Sequence, residues 1–146
     1  MAEIKIRALK KSDIDAIAKI QEAITKKKVP KYWAERVIDY IKKTPKACLA
    51  AEYTGKIVGF IIGDIKTWGF GIERSGWIEL VGVAPEFMGR GVGKKLGKTL
   101  IQHFEKEGIK EVYTTVRWDS GDLLAFFKSI GFTRSNFINL EKRLRG

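Results

Sequence analysis

The sequence predicts one mixed α/β domain, and three observations carry that prediction. Apolar residues recur at helical spacing in four segments. Between those segments they alternate or run together as in strands, with glycine and proline at the borders. No internal repeat or low-complexity linker interrupts the 146 residues, whose 45% hydrophobic content suffices for a core without disulfides or metals. The predicted order is βααβββαβαβ, with room for one more strand at the end.

The elements follow in turn. Residues 4–7 alternate apolar and polar side chains, as a half-buried strand does. Ser12, three residues before Asp15, reads as a capping-box variant that opens a helix. Ile14, Ile17, Ile20 and Ile24 share one face of that helix, with Lys19 and Glu22 elsewhere. Pro30 breaks the pattern. Trp33, Val37 and Ile41 then recur every four residues in a second helix that closes before Pro45. Residues 47–53 and 56–65 read as two strands joined at Thr54-Gly55, a hairpin signal. Residues 66–76 form a loop rich in glycine and aromatics, and residues 77–83 a strand that Pro85 stops. In the long helix that follows, Val92, Leu96, Leu100 and Phe104 form the apolar stripe and Lys94, Lys95, Lys98 and Lys106 the wet side, with Gly108 suited to its cap. Residues 111–116 read as a strand. Residues 122–130 read as a short helix with Leu123, Phe126, Phe127 and Ile130 inward and Gly131 as its stop. Residues 132–144 supply one or two closing strands.

Composition narrows the function classes. One cysteine and one histidine exclude an intramolecular disulfide and leave too few soft ligands for a usual zinc site, so no metal is expected. Cys48, inside an apolar run, reads as a buried small hydrophobe. The N-terminus has no long apolar stretch, and no run approaches the roughly 20 apolar residues of a membrane span, which points to a cytoplasmic protein. The net charge of +11 favours anionic partners. Acidic residues are interleaved with the lysines, however, which disfavours nucleic acid as the partner and reads as a solvated surface.

Chemistry enters at Met88-Gly89-Arg90-Gly91-Val92-Gly93, between the strand ending Val81-Gly82-Val83 and the lysine-sided helix. Alternating glycines let the backbone turn sharply and approach a ligand, while the first free amides and dipole of the helix attract phosphate. The turn is not a Walker A loop, because Met88 takes its first glycine position and Lys95 stands where Ser or Thr would bind magnesium. Nor does it complete a dinucleotide fingerprint, since Lys94 takes the third glycine position.

Residues 81–96 resemble the acetyl-CoA motif of the GNAT family of N-acetyltransferases: a strand, V-x-P, then Gln/Arg-x-x-Gly-x-Gly/Ala opening a helix. The opening Ile6-Arg7-Ala8-Leu9 with Ser12-Asp13 is similar to that family's first strand and helix start. Phe126-Phe127-Lys128-Ser129-Ile130-Gly131-Phe132 is similar to its closing signature. The resemblance spans nearly the whole chain and implies a mainly antiparallel sheet flanked by helices.

It also implies an acetyl-CoA cosubstrate. The backbone of Val81, Gly82 and Val83 would pair with the pantetheine arm, and amides of Met88, Gly89, Arg90, Gly91, Val92, Gly93 and Lys94 would cradle the pyrophosphate. Met88 stands where the family has Gln or Arg, but an amide cradle needs no particular side chain there. Ser120 occupies the position of a frequent family asparagine. Phe127 occupies that of the tyrosine that protonates the departing thiolate, so no tyrosine acid acts from this place. A thiol of pKa about 8.5 is a fair leaving group as thiolate, and Tyr113 and Asp119 are other candidate acids.

The reaction needs a neutral amine, so something must take a proton from an acceptor whose free pKa is about 10.4 for a lysine-type amine. Glu79 lies on the strand leading into the turn, and strict alternation would set it on the face of Val81 and Val83. Two readings of it stay open: a general base facing the cleft, or a solvent-facing carboxylate. Glu73 and Asp64 are reserves. Acceptor choice would fall to Tyr32, Trp33 and the Trp68-Gly69-Phe70-Gly71 loop. The expected acceptor is a protein N-terminus, a lysine or a small amine, attacked in a ternary complex; a homodimer is compatible with the family. The rival reading is an acyl-CoA-binding sensor without catalysis.

Overall fold

Thr54 and Gly55 both take positive φ, 49° and 78°, the twist a two-residue hairpin demands. They join Cys48–Tyr53 (β2) to Lys56–Lys66 (β3) in the computed structural model of the chain, which describes residues 3–67 and 74–145. Lys5–Ala8 (β1) pairs antiparallel with β2, and Ser75–Val83 (β4) antiparallel with β3. Val112–Thr114 (β5) lies parallel to β4, which completes a five-stranded sheet in the order β1-β2-β3-β4-β5. A parallel pair needs a crossover, and Val92–Lys106 (α3) supplies it. This mixed, mainly antiparallel sheet with helices on its faces is the predicted fold class.

Ile14–Thr25 (α1) and Lys31–Lys43 (α2) cover one face. Ile14, Ile17, Ile20, Trp33 and Val37 bury there against Cys48, Ala50, Phe60 and Ile62. On the other face Val92, Leu96, Leu100 and Phe104 are all buried, as their spacing predicts. Glycines set how closely α3 can lie. A Cβ at Gly59, Gly63 or Gly76 would stand within 3.1 Å of Val92, Leu100 or Phe104 respectively, closer than ordinary contact.

The start of α1 differs from expectation. Ser12 sits within a single 3-10 turn, Lys11–Asp13, and α1 begins at Ile14. Asp13 is the N-cap residue of α1, yet its side chain bonds to no helix amide and instead ties the turn to β1. Its carboxylate accepts the Lys10 N–H at 2.8 Å and two bonds from the Arg7 guanidinium at 2.7 and 3.0 Å. Arg7 also pairs with Glu52 on β2. The Arg7 hydrogen bond holds the Asp13 carboxyl below the usual carboxylate range. These bonds from β1 are charge-assisted and therefore of the stronger kind.

The chain divides into two compact units, Met1–Thr115, which holds the sheet, and Val116–Gly146. The second unit contains Gly121–Ser129 (α4). Phe127 is buried and packs against Phe126 and Phe132 with ring centroids at 5.0 and 5.2 Å. Leu123, expected inward, is 39% exposed. The expected closing strands are absent among the described residues 132–145. Ile138, Leu140 and Leu144 alternate as in a strand, yet each is at least 70% exposed. Alternation sets which side chains share a face, but a strand exists only where its backbone finds a ladder.

Candidate active site

The register between β3 and β4 slips by one residue at Glu79: Ile62 pairs with Leu80 and Gly63 with Ile78, leaving Glu79 as the extra residue of a bulge. The slip breaks strict alternation. Glu79 and Leu80 both line a pocket against α2. Val81 and Val83 pair with Ile61 and Gly59, residues on the face that α3 covers. Glu79 therefore does not share a face with Val81 and Val83, contrary to the two-residue period of a regular strand.

The pocket is about 210 Å³, with Tyr32, Arg36 and Tyr40 of α2 opposite Glu79 and Leu80 of β4. Trp33 also borders it, but it is 9% exposed and meets Phe60 edge-on at 6.5 Å, so it is a core residue; Tyr32 is exposed. Lys66 Nζ stands 3.0 Å from Glu79 Oε1 and 4.3 Å from the centre of the Trp77 ring. That ionic contact falls short of hydrogen-bond geometry, and Oε1 is shielded from solvent with no donor among the described residues. Arg36 is held in its charged form first by its hydrogen bond to Tyr40, with smaller help from the charge of Glu79. Asp64 is committed elsewhere: it is buried, pairs with Lys43 at 3.0 Å and accepts the Ile65 N–H at 2.9 Å. Glu73 and Trp68-Gly69-Phe70-Gly71 lie outside the described residues. A larger, open depression of about 580 Å³ by β1, lined by Glu52, Thr54 and Lys95, includes neither Glu79 nor the glycine turn.

Beside the bulge, β4 has an open edge. β5 pairs with it only through Gly76, Trp77 and Ile78, and Thr114 Oγ1 closes the ladder by donating to Ile78 O at 2.9 Å. From Glu79 to Val83 that edge has no strand partner among the described residues. Ala84 N–H donates to Val58 O at 2.8 Å. By the alternation of an antiparallel ladder, Gly82 and Leu80 then turn their backbone groups toward β3, and Val81 and Val83 turn theirs toward the open edge.

The chain next runs through a 3-10 turn, Pro85–Phe87, into the glycines. Met88 N–H donates to Pro85 O at 3.3 Å, so the unengaged amides begin after it. Gly89 and Gly91 have φ of 79° and 80°, a region that admits glycine without Cβ strain, and a Cβ on either would meet nothing within 4 Å. The first N–H to close a bond at the start of α3 is that of Lys95, on Gly91 O at 3.0 Å. Val92, Gly93 and Lys94 thus present the free donors of a helix N-terminus. Arg90, exposed, lies 5.0 Å from the Phe87 ring centre. Open space, unpaired donors, the positive helix end and two cations, Arg90 and Lys94, together fit a diphosphate.

The family model described as acetyltransferase (GNAT) family matches residues 14–132. The chain belongs to the GNAT acetyltransferase family. It is 26% identical over 138 residues to an N-alpha-acetyltransferase of Sulfurisphaera tokodaii, covering 89% of this chain and 80% of that one. The crystal structure of Chaetomium thermophilum Naa20 in complex with a bisubstrate analogue superposes with a TM-score of 0.77 at 25% identity, over 87% of this chain and 70% of that one. An aminoglycoside acetyltransferase from an uncultured soil metagenomic sample, with 97% of both chains covered, shares the fold at a TM-score of 0.78 and 19% identity.

Within this GNAT chain the remaining candidates fall as follows. Ser120 and Phe127 belong to the second unit: Ser120 precedes α4, accepting the Leu124 N–H at 3.0 Å, and Phe127 sits among the aromatic rings. Asp119 pairs with Arg117 at 2.9 Å on the surface, which holds its carboxyl low, as the reverse of an acid. Tyr113 stacks on Trp77 at 5.3 Å. Cys48 is fully buried, and burial pushes its thiol up to about 11, so it supplies no thiolate. Among the described residues no helix is long and apolar enough to cross a membrane, and no group of three or more His, Cys, Asp or Glu could hold a metal. Sequence reasoning did not single out Lys66, Arg36 or Tyr40. Nothing marks one cation among 28 until the fold sets it beside Glu79.

Proposed function

We propose that this chain transfers the acetyl group of acetyl-CoA to a primary amine by direct attack in a ternary complex. The observation that carries the reading is the continuity of one segment: the Glu79 bulge, the open edge at Val81 and Val83, and the glycine turn follow one another without interruption. The pantetheine arm pairs with the backbone of Val81 and Val83 as an added strand would, with Gly82 between them. The amides of Gly89, Arg90, Gly91, Val92, Gly93 and Lys94 receive the diphosphate; Met88 contributes by shape, since its amide is engaged. Family resemblance alone assigns Ser120 and Phe127 to the cofactor.

Glu79 takes the acceptor proton directly or through one water. The amine nitrogen bonds to the acetyl carbon, the C–S bond breaks, and its electron pair leaves on sulfur. A thiol of pKa about 8.5 departs as thiolate without a dedicated acid, which is consistent with a phenylalanine at position 127. The name of the Sulfurisphaera relative supports a protein N-terminus as the acceptor.

Calorimetric titration with CoA, paired with release of free thiol from acetyl-CoA and an amine, tests the reading. The protein should bind CoA, and Gly91→Glu should weaken that binding by tenfold or more, because a carboxylate would enter the anion cradle. A melting curve of the variant separates this loss from unfolding. No binding by the unaltered protein would sink the proposal, and equal affinity in a folded Gly91→Glu would refute the position of the cradle.

A further inference from the structure

Among the described residues the acceptor pocket carries more positive than negative charge. Glu79 faces Lys66 from β3 at 3.0 Å and shares its pocket with Arg36 from α2. Among the described residues, the other polar side chains of this pocket are Tyr32 and Tyr40. Asp64, on the same strand as Lys66, is neutralised by Lys43. Among the described residues one carboxylate thus lies beside two cations, a surplus positive charge; Arg36 is exposed and screened by solvent, whereas Lys66, 32% exposed, is screened less. An arriving ammonium meets that surplus as repulsion, whereas a neutral amine does not. Glu79 Oε1 has no hydrogen-bond donor among the described residues but is shielded beside Lys66 Nζ, so an amine N–H reaches it when Lys66 moves aside. Lys66 can make room without losing its charge, because the Trp77 ring face lies 4.3 Å from its Nζ.

Such a pocket sorts acceptors by basicity. At pH 7.4 an α-amine of pKa about 7.8 is roughly one-quarter neutral, while an alkyl amine of pKa about 10.4 is neutral in about one molecule in a thousand. We propose that Lys66, backed by Arg36, is a specificity-determining residue that makes this pocket select weakly basic α-amines over strongly basic alkyl amines. The proposal rests on Glu79 being the group that receives the acceptor proton.

Two peptides of equal length test it, one with a free N-terminus and no lysine, the other with a blocked N-terminus and one lysine. The ratio of their kcat/KM values is measured with acetyl-CoA for the unaltered chain, Lys66→Met, Lys66→Arg and Glu79→Gln, with CoA affinity and melting followed for each. The unaltered chain should prefer the α-amine. Lys66→Met should reduce the ratio about tenfold, the equivalent of one pKa unit, chiefly by lowering KM for the lysine peptide. Lys66→Arg should keep the original ratio, and CoA affinity should not move. Lys66→Gln replaces the methionine variant should that one melt early. An unchanged ratio in Lys66→Met, or an equal loss on both peptides, while Glu79→Gln depresses both, overturns the role of Lys66 and leaves the base standing. Full turnover with an unaltered pH profile in Glu79→Gln overturns the base itself, and the selection with it.

Discussion

Gly82 and Glu79, three positions apart on β4, show how much a single residue's place depends on its cross-strand neighbour. A Cβ at Gly82 would lie 2.6 Å from Cε1 of Phe60, a ring that is fully buried and has nowhere to go. Gly82→Ala should therefore destabilise the protein by roughly 1–3 kcal/mol, as overpacking does, read from urea unfolding. Gly89→Ala offers a contrast: no atom lies within 4 Å of the added carbon, so only the left-handed backbone strain of about 1 kcal/mol remains. A larger loss in Gly89→Ala than in Gly82→Ala would contradict this account. The sequence marks Gly89 as part of the glycine turn, but nothing in it marks the close approach of Phe60 to Gly82. Glu79 was legible as a candidate by its nearness to the turn, but its orientation was not, because a one-residue bulge shifts every side-chain assignment beyond it.

At the scale of elements, the junction of β1, β2 and α1 depends on one charged cluster, Arg7 between Asp13 and Glu52. Asp13 is largely buried, and its folded-state pKa is lowered, first by the Arg7 hydrogen bond. The stability it contributes is therefore present above its unfolded pKa of about 3.9 and is lost as pH falls through the lower folded value. Asp13→Asn should cost about 2 kcal/mol at neutral pH, the scale of hydrogen bonds to a charged group. The gap between variant and unaltered chain should close as pH falls through that lowered folded value; a gap that persists in stronger acid would show that packing, not charge, is lost. Elements specified by short windows were legible: the Thr54-Gly55 hairpin and the stripe of α3 lie where their signals place them. The closing strand was not, since residues 132–145 have the alternation of a strand and no ladder among the described residues.

For the whole molecule, the charge of +11 bears on encounter with an anion more than on the fold. Lys94 and Lys98 on the exposed side of α3, with Arg90 in the turn, give that charge a local focus. CoA affinity should fall by roughly tenfold as ionic strength rises from about 0.05 to about 0.5 M, because screening shortens the reach of these cations. Salt-independent affinity would place recognition in the amides alone. The residue order determined the family, the fold class and the phosphate-suited turn, because each is written in contiguous residues: helical period, left-handed glycines, unpaired amides ahead of a helix. Only the tertiary structure decided that Glu79 faces α2, that Lys66 pairs with it while Arg36 lines the same pocket, and that Asp13 ties the turn before α1 to Arg7 of β1. Those contacts join segments far apart in the chain, and no local window encodes which distant charge will arrive beside which strand.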